Sequence, residues 1–125
     1  MPEEIIPEKV RDFILQHIDS ITQLEALLLL RANPDERWTL GSTTKRLYTS
    51  ERDVELVLSR LTTDGLLRNS EGVYRYDPSS PEMRALIEQL ADIYARHLIP
   101  VTNLIHAKER RIREFADAFR FRRDR

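Results

Sequence analysis

From Ile87 to Phe119, positions recur at alternating steps of four and three: Ile87, Ala91, Tyr94, Leu98, Val101, Ile105, Lys108, Ile112, Phe115 and Phe119. All but Lys108 are apolar. This spacing lays one continuous stripe along an α-helix and is the heptad seam of a coiled coil. A helix over residues 81–120 would run about 60 Å at 1.5 Å per residue. A chain of 125 residues makes one modest domain, too small to cover a stripe of that length. Either a second copy lies along the seam or the segment folds back at Pro100 as a helical hairpin on its own core. Proline removes a backbone donor from a straight helix, so a kink or break is expected near Ile99. Homodimerisation is the simpler solution, with Ile87, Tyr94, Leu98, Val101, Ile105, Ile112, Phe115 and Phe119 at the interface. A second stripe, Met83, Leu86, Leu90 and Ile93, widens the apolar face in the first half only. The first half is therefore expected to pack on its own domain as well, and the second half to project.

Upstream, the helix boundaries are marked by local chemistry. Pro7 suits a first helical turn, and Val10, Phe13, Ile14 and Ile18 follow on one face. Ser20 with Gln23 reads as a capping box, opening a helix through Leu24, Leu27, Leu28 and Leu30 that Asn33-Pro34 stops. Its wide apolar face makes it central. Trp38 and Thr39 suit a short extended segment before a helix over Leu40 to Tyr48. Ser50, with Asp53 three residues on, opens another helix with Val54, Val57, Leu58 and Leu61 on one stripe and Gly65 as its C-cap. Leu66-Leu67-Arg68, an Asn-Ser-Glu-Gly turn at 69–72 and Val73 to Tyr76 read as a β-hairpin ended by Asp77-Pro78. Ser80-Pro81 caps the final helical segment.

The order is thus helix, helix, short strand, helix, helix, hairpin, long helix. The fold class is mainly α with a small β-hairpin (α+β), divided as an N-terminal helix at 1–19, a central domain at 20–78 and a C-terminal helical dimerisation segment at 79–125. A short helix, a second one capped by Ser50, and a hairpin entered through Leu-Thr-Thr-Asp-Gly-Leu-Leu at 61–67 resemble the winged helix-turn-helix superfamily. With the flanking helices, the chain is most similar to MarR-type regulators. It departs from them in a short wing, Arg68 to Tyr76, that lacks an Asp-x-Arg element, and in its shorter length. The resemblance implies a homodimeric transcriptional regulator that reads double-stranded DNA, with room for a small-molecule effector between the dimer helices and the winged domain. Trp38, Tyr94 and His97 are the candidate lining residues.

Duplex recognition asks for small polar and basic side chains on the exposed face of the second helix, with phosphate contacts from the first helix and the wing. Thr43, Thr44, Lys45 and Arg46 lie on the first helix, and Thr49 and Ser50 begin the second. Opposite the buried stripe of the second helix, at 100° per residue, stand Arg52, Glu55, Leu56, Ser59, Arg60 and Thr63. Arg52, Ser59 and Arg60 are the DNA candidates there, and Arg68, Asn69 and Arg75 those of the wing. Glu51, Asp53 and Glu55 suit the positive end of the helix dipole better than a phosphate. Exposed Leu56 and this acidic cluster fit the other use of such domains, a protein-docking module without DNA readout.

The net charge of −1 announces no polyanion partner, but it is unevenly placed: residues 1–107 carry −5 and residues 108–125 carry +4. Aromatics interleave with arginines from Phe115 to Arg125, as on phosphate-binding surfaces, although cations also belong at a helix C-terminus, where their stems cover apolar surface. Without cysteine there is no disulfide, thiolate zinc site or cysteine nucleophile. His17, His97 and His106 have no metal-ligand spacing, and no phosphate loop or nucleophile elbow occurs. The expectation is a non-enzyme without cofactor or metal. The N-terminus lacks a signal-peptide pattern and Leu27 to Leu30 is too short to span a bilayer, so a cytoplasmic protein with no membrane partner is expected.

Overall fold

The computed structural model describes residues 5–123, with side chains as far as Phe119. It is mainly helical. The elements are α1 (Glu8–His17), α2 (Ile21–Ala32), α3 (Leu40–Leu47), α4 (Glu51–Thr63), β1 (Leu67–Ser70), β2 (Val73–Tyr76), α5 (Pro81–Arg96) and α6 (Leu98–Arg123). No single helix among the described residues is long and apolar enough to cross a membrane.

The helix starts are set by short-range hydrogen bonds. Ser20, Ser50 and Ser80 each accept, through their hydroxyl, the N–H three residues on, that of Gln23, Asp53 and Met83. Gln23 does not close the expected reciprocal box on Ser20. Its buried amide reaches further back, donating to the His17 carbonyl at 2.7 Å and accepting from the Asp19 N–H at 2.8 Å, and so pins the α1–α2 corner. The reciprocal box is found instead at Thr39 and Ser42, at the start of α3.

Helix α4 ends in a Schellman motif, with Leu66 N–H on Leu61 C=O and Gly65 N–H on Thr62 C=O. Gly65 has φ +80, and a Cβ there would meet Ser79 Oγ at 2.9 Å, so any other residue is strained and displaces Ser79. The hairpin pairs Leu67 with Tyr76 and Ser70 with Val73 around the two-residue turn Glu71–Gly72, both at positive φ. The extended segment expected at Trp38 is one bridge to Tyr74, closed by Tyr74 N–H on Trp38 C=O at 2.8 Å.

One hydrophobic core joins Val10, Phe13, Ile14 and Ile18 of α1 and its C-cap, Leu24, Leu27 and Leu30 of α2, and Val54, Leu58 and Leu61 of α4 to Ile87 and Leu90 of α5 and Val101 and Ile105 of α6. Each such side chain contributes about 1.5–3 kcal/mol of transfer free energy. Helix α2 lies at its centre, against α3, α4, β2 and α6. A bidentate Arg31–Glu88 pair, at 2.6 and 2.7 Å, ties it also to α5.

The C-terminal segment breaks at His97 (φ −133, ψ 61), two residues before the expected Ile99. Proline's ring clashes with the carbonyl four residues back, here Arg96, and its missing N–H costs nothing in a first turn. Breaking at His97 meets both conditions and places Pro100 in the first turn of α6. The break turns the start of α6 onto α1 and α2, which corrects the expected dimer seam. Ile87, Val101 and Ile105 are fully buried within their own chain and Tyr94 is half-buried, so the first three are core rather than interface. Leu98, Ile112, Phe115 and Phe119 stay exposed.

Candidate nucleic-acid interface

The sequence candidates lie on three elements in sequence, α3, α4 and the hairpin, with α4 touching both of the others. The geometry sorts them into three groups.

Some are turned inward or used in the backbone. Thr43 is fully buried and donates to Thr39 C=O at 2.7 Å, which removes it as a contact residue; a polar residue on a short helix facing the core finds its partner in the preceding turn. Thr44 makes the same bond to Leu40 C=O, Ser50 caps α4, and Asn69 Oδ1 accepts from Gly72 N–H to fix the hairpin turn. Thr49 is half-buried.

Others are held by acidic neighbours. Arg60 donates to Asp19 at 2.6 Å, to Asp64 at 3.0 Å and to Gln16 C=O at 3.1 Å, so it braces the C-terminal end of α4 against the α1–α2 corner instead of standing free on the face. Burial opposes ionisation of Asp64, but hydrogen bonds from His17 and Arg60 outweigh it and hold the carboxyl below its ordinary value. His17, read from sequence as an ordinary helix residue, is thus a partner of Asp64 at 3.0 Å. Arg46 sits over the Trp38 ring at 5.3 Å and pairs with Glu36 at 3.3 Å. Arg68 reaches Asp77 at 3.6 Å.

The remaining candidates are available. Lys45, Arg52, Ser59 and Arg75 are exposed, and the three cations form no ion pair among the described residues. In the hairpin register Arg68 faces Arg75 directly, both exposed, so two guanidinium groups share one outer face. Like charges opposite each other weaken a ladder unless an anion neutralises them.

No protein-family model, curated protein or solved structure matches this chain.

Two residues escaped the sequence reading. Tyr48, placed there inside a helix, is the left-handed C-cap of α3 and 95% exposed; the signal for it was a helix end just before the Ser50 cap with no glycine to take the turn. Asp19 carries both Arg60 and Lys108, and nothing in its local sequence marks it.

Trp38 does not line a cleft. It is core, with Nε1 donating to Asn33 C=O at 2.9 Å. Among the described residues, an open cleft of about 450 Å³ lies instead between Asp19 and the α6 residues Glu109, Ile112, Arg113 and Ala116. Of the basic-aromatic tail, the side chains beyond Phe119 lie outside the described residues.

Proposed function

We propose that the protein is a homodimeric DNA-binding transcriptional regulator of the winged helix-turn-helix kind, similar to MarR-type regulators. In this reading α4 enters the major groove, α3 lies across the backbone and the hairpin is the wing. The observation that carries it is the exposed Arg68–Arg75 pair: two guanidinium groups share one outer face of the hairpin with a single carboxylate, Asp77, 3.6 Å from Arg68, which leaves a net positive face suited to a phosphate backbone. Lys45 and Arg52 add uncommitted cations on α3 and α4, and Ser59 leaves room for close approach to base edges.

The second copy is supported by α6. Beyond Glu109 every described side chain is exposed, including Ile112, Phe115 and Phe119. A projecting helix of this length is marginal in water on its own, and self-pairing of the stripe supplies the missing burial. Two copies would present two recognition helices to a pseudo-palindromic duplex.

A mobility-shift assay against genomic duplex fragments tests the proposal. Retarded complexes that salt dissociates are expected, and no binding at micromolar protein would remove the reading. Leu56, 63% exposed between Glu55 and Ser59 on the same face, favours a second reading as a protein-docking module. A stoichiometric protein partner in a pull-down, beside an absence of duplex binding, would select that one.

A further inference from the structure

Tyr48 joins two properties that are each ordinary and together are not. Its backbone is left-handed, φ 53 and ψ 44, at the C-cap of α3, a common way to end a helix. Glycine or asparagine adopts that conformation readily, whereas an aromatic residue with a Cβ is strained in it. Strain of this kind is usually offset by what the side chain buries. Tyr48 is 95% exposed, and its ring has no aromatic or cation–π partner among the described residues. Neither backbone nor packing accounts for a tyrosine here.

Its position does. Lys45 stands three residues back, in the last turn of α3, and Arg52 four residues on, in the first turn of α4. Both are exposed, without an ion pair among the described residues. The turn therefore carries an exposed aromatic hydroxyl, with one uncommitted cation near the end of the helix before it and one in the first turn of the helix after it. We infer that Tyr48 is a backbone contact for duplex DNA, its phenol donating to a phosphate oxygen and its ring packing on the adjoining sugar, with Lys45 and Arg52 flanking it in sequence. Such a contact positions the protein and is independent of base sequence. The inference rests on the duplex-binding reading and adds to it a residue that stability alone would not retain.

The test compares the native full-length chain with Tyr48→Asn and Tyr48→Phe. Fluorescence anisotropy with a fluorescein-labelled duplex of mixed sequence at low salt gives affinity, thermal melting gives stability, and light scattering gives mass. Asparagine takes the left-handed conformation and offers no ring, so Tyr48→Asn is expected to melt no lower than the native chain, keep its mass and bind more than about tenfold more weakly, having lost both the phenol's hydrogen bond to a charged group and the ring contact. Tyr48→Phe is expected to fall between the two. A Tyr48→Asn affinity within about twofold of native overturns the inference and leaves the duplex-binding reading standing. A lower melting temperature, meaning that the ring packs on the fold, or an altered mass, meaning that it serves the contact between copies, also overturns it. Failure of the native chain to bind duplex overturns the reading and the inference together.

Discussion

Lys108 meets Asp19 at 2.8 Å, and through this pair α6 is joined to the corner between α1 and α2. The same ammonium donates to the carbonyls of Ile14 and Ile18, at 3.2 and 2.9 Å; Ile14 C=O also accepts the Ile18 N–H, whereas Ile18 C=O, at the end of α1, relies on the lysine. The one charged position in the apolar seam is therefore a helix cap supplied from another element. Asp19 passes the connection on, since its second oxygen accepts from Arg60 of α4.

Lys108→Met is expected to destabilise the chain by about 1–2 kcal/mol, because it leaves the Ile18 carbonyl without its partner and removes one of the two cations that Asp19 holds. Asp92→Asn, which breaks the exposed Asp92–Arg96 pair, should cost under about 0.5 kcal/mol. Urea unfolding of the two variants checks the contrast, and equal midpoints would contradict it.

Acid should unfold the protein partly through Asp64 and Glu88. Hydrogen bonding from Arg31, against a smaller desolvation penalty, holds Glu88 below its ordinary value, and Asp64 is lowered as described above. A carboxyl lowered in the folded state contributes stability that is fully present above its unfolded value, about 4, and is lost as pH falls through the folded value. Melting temperatures should therefore drop below about pH 4, and less steeply in a variant carrying Asp64→Asn and Glu88→Gln.

Substitutions along α6 should divide at Lys108. Ile105→Asp places a charge in the core and is expected to unfold the chain, whereas Ile112→Asp and Phe119→Asp should leave the circular dichroism of the folded body intact and halve the solution mass. Retention of the native mass by both distal variants would contradict the second-copy proposal.

Gly65→Ala should cost more than about 1 kcal/mol, since φ +80 disfavours alanine and its Cβ would press on Ser79. Gly72→Ala meets no atom within 4 Å and carries only the backbone penalty. Thermal melts should rank the two variants in that order.

Element boundaries were legible because their determinants are local: Ser20, Ser50, Ser80, Gly65 and Gly72 act within three or four residues. The mainly α composition with one hairpin followed from them, as did the element order up to the break at His97. What was not legible depends on pairs distant in the chain. Arg60 looks free on a helical wheel until Asp19, 41 residues away, is placed beside it. Ile105 and Ile112 are equivalent in the heptad, and only the turn at His97 separates a core residue from an exposed one. Thr43 looks like a polar surface residue because a hydroxyl bonded to its own helix leaves no mark in the sequence. Tyr48 stayed hidden because its only signal is indirect, a helix that must end before the Ser50 cap with no glycine to take the turn.

Duplex affinity measured across a salt series, for the native chain and for Arg68→Ala with Arg75→Ala, tests the central proposal most directly. The proposal predicts that log Kobs falls linearly with log salt, and that removing the two wing arginines lowers the magnitude of the slope by about 1.8 per subunit, at roughly 0.9 for each phosphate no longer neutralised. An unchanged slope, or no salt-dependent binding by the native chain, would contradict it.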